Sequence, residues 1–259
     1  RSLKKVNNYI FDLYGTVLDI WTDERDGALW NGISAFYSVY GADWSPEVFE
    51  RAYLQYVHEA EEKLRREKGL EYPEIELLDV FKRLWYEAPK AHKSCYPVSE
   101  DRLDDWCVAA SNVFRVLSRR RLGLYPNTLR ALDSLRAQGK KLWLLSNAQR
   151  CFTLPEMEVT GLAGRFDGIY ISSDHGMRKP QPEFMKKLLS ENSIDPSDAV
   201  MIGNDFSSDM KIAAECGVRA VFLNTDNYDI KTLRARKREL HPAIVHLIPS
   251  GDIIELENL

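Results

Sequence analysis

The sequence is poor in the features that would set it apart from ordinary globular proteins. It has four cysteines in 259 residues, and Cys95, Cys107, Cys151 and Cys216 show no close metal-ligand spacing. That argues against a disulfide framework or a zinc site, and for free thiols in a reducing cytosol. No apolar run approaches the ~20 residues of a membrane span, and the basic N-terminus lacks a signal-peptide core. A cytoplasmic location is therefore expected. An opening at Arg1 rather than Met suggests a few residues upstream. Charge of one sign is lacking as well: 35 Lys and Arg against 39 Asp and Glu leave a net charge of -4. No global field favours nucleic acid. Two basic clusters, Arg119–Arg121 and Arg234–Arg238, sit beside leucines at helical spacing and are expected to be solvated helix faces. Internal repeats and low-complexity segments are absent. With 44% hydrophobic residues the chain can build one large domain or two modest ones.

The stretch Asn7–Trp21 organises what is present. Tyr9, Ile10 and Phe11 form a short apolar run that breaks into Asp12-Leu13-Tyr14-Gly15-Thr16. A buried strand ending in a carboxylate and a glycine turn puts that carboxylate at the strand's C-terminal lip, where open α/β sheets bind ligands. An isolated aspartate there is more often a turn or capping residue, so the reading depends on the rest of the chain.

From about Asp23 to Arg121 the pattern is helical. Four apolar stripes recur, led by Leu29, Ile33 and Tyr37, by Phe49, Tyr53 and Tyr56, by Leu77, Phe81 and Leu84, and by Trp106, Ala110 and Phe114. Ser45-Pro46-Glu47 marks a helix start and Gly69 an end. Four such helices can bury their stripes against one another. From Leu124 onward the texture alternates. Apolar runs at Lys141–Leu145, Gly168–Ile171, Ala199–Ile202, Ala220–Leu223 and Ile244–Ile248 are separated by helix-patterned segments, and Ser250–Leu259 reads as a capped terminal helix. Continuous apolar strands between helices predict a parallel sheet covered on both faces. The expected fold is α/β, a Rossmann-like core of residues 1–20 and 122–259 with an all-helical insertion at 21–121. In such a sheet the strand ends carrying Asp12, Ser146 and Asp205 share one edge, so these residues converge despite their separation in sequence.

With these motifs the chain resembles the haloacid dehalogenase-like hydrolase superfamily. The first is Asp12-Leu13-Tyr14-Gly15-Thr16 and the second Ser146-Asn147. The third is Lys179 within Arg178–Phe184, and the fourth Gly203-Asn204-Asp205 with Asp209. The resemblance implies that the insertion is a helical cap, with hinges near Asp19–Thr22 and Arg121–Tyr125. It implies that Asp12 is a nucleophile forming a covalent acyl intermediate. Ser146, Thr16, Asn147 and Lys179 would contact the transferred group, Lys179 by neutralising charge. Mg²⁺ would be held by Asp12, Asp205 and the Tyr14 carbonyl, all hard oxygen donors. Asp209 would orient the lysine or a metal-bound water, or serve only as a helix-start acid.

Tyr14 departs from the pattern. Phosphatases of this superfamily usually place an aspartate there to protonate the leaving group and activate water. Tyrosine, with an ordinary pKa near 10, alternates poorly between those roles. Asp-x-Tyr-Gly-Thr resembles instead the metal-independent 2-haloacid dehalogenases, whereas Asp205 and Asp209 resemble phosphatase residues. No arginine convincingly matches a halide site; Arg25 and Arg51 come nearest. The leading expectation is a Mg²⁺-dependent phosphatase of a small phosphorylated metabolite. A dehalogenase-like hydrolase and a non-catalytic binding protein are the alternatives. His175 and Arg150 are candidates for the pocket rim, and the chain is expected to be a monomer or homodimer.

Overall fold

The computed structural model describes residues 2–240 and 242–259. The chain opens with β1 (Asn8–Phe11), buried at every position. It turns into β2 (Leu18–Thr22) and then runs through four helices, α1 (Gly27–Val39), α2 (Pro46–Lys68), α3 (Leu77–Tyr86) and α4 (Leu103–Ser118). It returns through β3 (Arg119–Leu124), and α5 (Thr128–Ala137), β4 (Lys141–Ser146), α6 (Arg150–Val159) and β5 (Gly168–Ile171) follow. The single turn α7 (Ser172–His175), α8 (Pro182–Glu191), β6 (Ala199–Gly203), α9 (Lys211–Glu215) and β7 (Arg219–Leu223) come next. The chain closes with α10 (Ile230–Glu239), β8 (Ile244–Ile248) and a 3-10 turn at Ile253–Asn258.

Six strands form one sheet in the order β5-β4-β1-β6-β7-β8, and every pairing in it is parallel. β1 lies inside it, with Phe11 opposite both Leu144 of β4 and Ile202 of β6. The apolar runs are continuous because both faces are covered. Tyr9 and Phe11 pack with Leu132, Leu135 and Leu256 on one side, while Ile10 packs with Phe184, Leu188 and Ile212 on the other. No described helix is long and apolar enough to cross a membrane.

The four helices bury their own aromatic core. Tyr53 and Phe81 lie 5.1 and 5.4 Å from Phe114, ring centre to ring centre. Cys151 and Phe152 of α6 belong to the same cluster, so α6 is the surface of the sheet domain on which the helices rest. A second attachment joins the α2–α3 loop to the segment before α8. Pro73 bridges Met177, the Glu74 amide donates to Gly176 O (3.1 Å) and the Arg178 amide donates to Tyr72 O (3.0 Å).

Two expectations are corrected. The Arg119–Arg121 cluster is not a helix face but the start of β3, antiparallel to β2 with Ile20 opposite Leu122. Its charges are paired: Arg121 with Asp19 across the ribbon at 2.9 Å, and Arg120 with Asp26 at the start of α1. The insertion is therefore helical except at its base, the β2–β3 ribbon. At the C-terminus a short 3-10 turn, capped by Asp252 and anchored by Ile253 and Leu256, replaces the expected helix. Arg234–Arg238 does lie on a helix, α10.

Candidate active site

β1 delivers Asp12 to the C-terminal edge of the sheet, where its backbone amide still donates to Ile202 O of the neighbouring strand (2.9 Å). The side chain is buried, at 7% exposure. One carboxylate oxygen, Oδ1, accepts from the Lys179 ammonium at 2.9 Å; the other accepts from the Thr16 hydroxyl at 3.2 Å. Gly15 allows this turn: its φ is +84°, and a Cβ there would meet Asn204 Nδ2 at 2.4 Å.

Lys179 is held from two sides. Its backbone amide donates to Asn147 Oδ1 (2.8 Å) and its carbonyl accepts from Asn147 Nδ2 (3.0 Å). Its ammonium also reaches Asp209 Oδ1 at 2.6 Å. Asp209, fully buried, accepts the amides of Asn204 (3.1 Å) and Asp205 (3.2 Å) on its second oxygen. This close wrap requires glycine at 203, where a Cβ would fall 2.2 Å from Asp209 Oδ2. Burial works against the lysine's charge, but Asp12 and Asp209 outweigh it and hold its pKa above the ordinary lysine value. The same burial, together with the Asp12 charge, pushes the Asp209 carboxyl upward while Lys179 opposes it.

Ser146 ends β4 beside β1. Its Oγ is buried and, among the described residues, has no hydrogen-bond partner. A buried hydroxyl left unpaired costs about 1–3 kcal/mol, and at a ligand-binding edge such a group marks a place for a ligand oxygen. The structure therefore gathers Asp12, Thr16, Ser146, Asn147, Lys179 and Asp209 at one edge. Thr16 donates to Asp12, and Asn147 holds the backbone of Lys179.

Asp205 is placed differently. It is exposed and caps the following turn, accepting the Ser208 amide (2.8 Å) and the Ser207 hydroxyl (2.6 Å) on Oδ1. Desolvation raises its pKa, but these hydrogen bonds prevail and hold it below the ordinary aspartate value. The side chain that meets Thr16 from this loop is Asn204, which also donates to Asp226 Oδ2 at 3.1 Å. Among the described residues no three His, Cys, Asp or Glu side chains gather as a metal cluster.

Tyr14 turns to a cluster that was not foreseen. Its hydroxyl donates to Glu156 Oε1 at 2.6 Å and lies 3.1 Å from Thr153 Oγ1. Glu156, 1% exposed on α6, also binds Arg115 of α4 (3.0 Å) and Arg119 of β3 (2.9 Å). Burial first, and then the Glu156 charge, raise the Tyr14 pKa far above that of an ordinary phenol. The remaining candidates lie elsewhere. His175 sits between the rings of Tyr170 and Phe184 (5.5 and 5.6 Å), where burial lowers its pKa. Arg150 is exposed and paired with Asp174 at 2.8 and 2.9 Å. Arg25 and Arg51 are exposed on the insertion, Arg25 being 3.7 Å from Asp23.

Three comparisons bear on this arrangement. The sequence model of a family described as haloacid dehalogenase-like hydrolase matches residues 6–217. A phosphoserine phosphatase of Thermus thermophilus is 33% identical over 106 residues, 41% of this chain and 43% of that protein. A glyceraldehyde 3-phosphate phosphatase of Methanothermobacter thermautotrophicus is 25% identical over 135 residues, 52% of this chain and 58% of its own. The chain thus spans about half the length of the curated relatives it matches. Among solved structures, a 2-haloacid dehalogenase from Pseudomonas syringae superposes with a TM-score of 0.62 at 19% identity, covering 98% of this chain and 97% of that one. A HAD phosphatase from Thermococcus onnurineus does so with a TM-score of 0.55 at 18% identity, covering 97% and 96%. At these identities the structural likeness shows the fold alone.

Proposed function

Because the chain belongs to the haloacid dehalogenase-like hydrolase family, we propose that it is a phosphohydrolase of a small phosphorylated metabolite, working through an aspartyl-phosphate on Asp12. The observation that carries this reading is the Lys179 ammonium, set 2.9 Å from Asp12 and 2.6 Å from Asp209, with Ser146 at the end of the adjoining strand β4. A carboxylate attacking a phosphoryl dianion meets like-charge repulsion, and a fixed cation in a water-poor site offsets it most effectively. Ser146 supplies a donor for a phosphoryl oxygen. Thr16 and Asn147 act one step back, on Asp12 and Lys179. Partial similarity to two phosphatases supports the same chemistry.

The residues present fit Mg²⁺ by the chemistry of their donors: the carboxylates of Asp12 and Asp205 and the carbonyl of Tyr14 are hard oxygens, with water to complete the shell. A bound Mg²⁺ would add positive charge at the phosphoryl oxygens. The helical insertion, anchored through α6 and the Tyr72–Glu74 loop, supports its assignment as a cap, residues 21–121, that excludes water from the core, residues 1–20 and 122–259. The test is hydrolysis of a generic aryl phosphate by the wild type and Asp12→Asn, with Mg²⁺ and then with excess chelator. Activity that requires both Asp12 and Mg²⁺ is the expected result. Hydrolysis that survives in Asp12→Asn removes the reading. Tyr14 favours a second one, a metal-independent 2-haloacid dehalogenase, which chelator-insensitive halide release from a 2-haloacid would establish.

A further inference from the structure

We infer that this site takes phosphoryl compounds whose leaving group departs without a proton, such as acyl phosphates, phosphoanhydrides and aryl phosphates, and handles simple alkyl phosphates poorly. The inference rests on the phosphohydrolase reading and adds to it the class of substrate. It comes from asking which side chain near Asp12 has a proton to give to the departing oxygen.

The Tyr14 hydroxyl is committed elsewhere. Its hydrogen points to Glu156 Oε1 at 2.6 Å, and Glu156 is fixed in turn by Arg115 and Arg119 at 3.0 and 2.9 Å. Turning that hydrogen toward a substrate would leave a carboxylate oxygen buried beneath two arginines with one partner fewer. Thr16 donates to Asp12. Asp209 accepts on both oxygens, from Lys179 and from two backbone amides. Asp205 accepts from Ser207 and Ser208 and faces solvent. Glu74 of the insertion accepts the Ser172 hydroxyl at 2.9 Å. Lys179 gives its hydrogens to Asp12 and Asp209, and the Ser146 hydroxyl, a far weaker acid than a carboxyl, is the donor assigned to a phosphoryl oxygen.

The chemistry then follows from the leaving group. Asp12 forms a bond to phosphorus, the bond from phosphorus to the leaving oxygen breaks, and that oxygen keeps the electron pair and leaves as an anion. Water next attacks the aspartyl-phosphate dianion. The Asp12–phosphorus bond breaks, Asp12 returns as carboxylate, and both water hydrogens leave with the oxygen as dihydrogen phosphate. A carboxylate leaving group, with a conjugate acid of pKa about 4, departs readily as an anion, a phenolate of about 10 less so. An alkoxide does not, and a missing general acid withholds a factor of about 10²–10⁴ from such a reaction.

The test is the dependence of kcat/KM on leaving-group pKa. Acetyl phosphate, a series of ring-substituted phenyl phosphates and a simple alkyl phosphate are assayed with Mg²⁺ on the wild type, Tyr14→Phe and Glu24→Gln. Glu24, at the base of the insertion, has its carboxyl pKa raised by burial against the opposing Arg115 charge, and its variant checks for a donor supplied by the insertion. The expected result is a steady fall of kcat/KM as the aryl leaving-group pKa rises, with the alkyl ester lower still by about 10²–10⁴, the contribution of the missing acid. Both variants should keep the wild-type slope, whatever their absolute rates. A flat series, or a slope that steepens in either variant, reveals a proton donor and overturns the inference while leaving the phosphohydrolase reading intact. No hydrolysis of any member by the wild type overturns that reading, and the inference with it.

Discussion

The Lys179 ammonium lies 2.6 Å from Asp209 Oδ1, with both side chains about 1% exposed, and this contact ties the third motif to the fourth beneath the nucleophile. Asp12 completes the triad at 2.9 Å. Two carboxylates share one cation, so the triad depends on the lysine more than on either acid. Lys179→Met would leave Asp12 and Asp209 buried without a counter-charge, and breaking such a pair typically costs about 3–5 kcal/mol. Urea unfolding of the variant should show a loss of that order, together with loss of hydrolysis. A loss below about 1 kcal/mol, the scale of a surface pair, would mean that the triad is solvated.

Gly203 makes the triad possible by leaving room for Asp209. A Cβ at 203 would lie 2.2 Å from Asp209 Oδ2 and 2.4 Å from Cγ. Gly203→Ala must displace the carboxylate that steadies Lys179. Overpacking of this kind costs about 1–3 kcal/mol, and the effect on aryl phosphate hydrolysis should exceed what that instability explains. Activity measured well below the melting temperature of the variant separates the two. Near-wild-type turnover would show that Asp209 is not needed to position the lysine.

Much of this was legible in the sequence because the signals are local. Asp12 and Ser146 stand where apolar runs stop, and Gly203 and Asp209 share one short segment. The β2–β3 ribbon was not legible. Arg119–Arg121 read as a solvated helix face, and LDIWT and RRRLGL become strands only by pairing with each other about a hundred positions apart, Arg121 with Asp19 at a separation of 102. Glu156 was hidden for the same reason. Its partners Tyr14, Arg115 and Arg119 lie 142, 41 and 37 residues away, and only packing of α4 on α6 brings them together. The direction of the Asp205 side chain was not legible, because adjacent residues at a strand end face different ways: Asn204 turns to Thr16, while Asp205 accepts from Ser207 and Ser208.

Glu156→Ala should be among the more damaging changes outside the nucleophile's own contacts. It strands two arginines and a phenol in the seam between α4 and α6, and an unpaired buried partner of this kind costs about 3–5 kcal/mol. Glu156→Gln keeps an acceptor for Tyr14 and should lose less. Equilibrium unfolding of the two variants checks the order. Equal losses would show that charge alone, and not the hydrogen bond to Tyr14, sets the contribution of Glu156.

His175 gives a pH dependence with a definite sign. Burial between Tyr170 and Phe184 lowers its folded-state pKa below the ordinary value, about 6.5 in an unfolded chain. Below that pH the unfolded chain takes up a proton that the folded protein resists, so stability falls as pH drops through the interval and levels off below the folded pKa. The melting temperature should drop between pH 7.5 and 5.5 by more in the wild type than in His175→Phe, which keeps an aromatic ring between the same partners. Identical pH dependence in the two proteins would place the titration elsewhere.

Ser146→Ala separates stability from function most cleanly. Most buried hydroxyls have a partner whose loss confuses the measurement, but Ser146 Oγ has none among the described residues. Removing it leaves nothing unpaired and relieves a desolvated group, so the melting temperature should stay the same or rise, by an amount corresponding to at most about 1–3 kcal/mol. A phosphoryl oxygen in the site would lose its donor at the same time, and donors of this kind are worth about 10²–10³ in rate. The expected outcome is thus a protein as stable as the wild type and much slower on an aryl phosphate. A less stable protein would mean that the hydroxyl has a partner in solution. Unchanged rate and stability would instead move the phosphoryl oxygens away from β4.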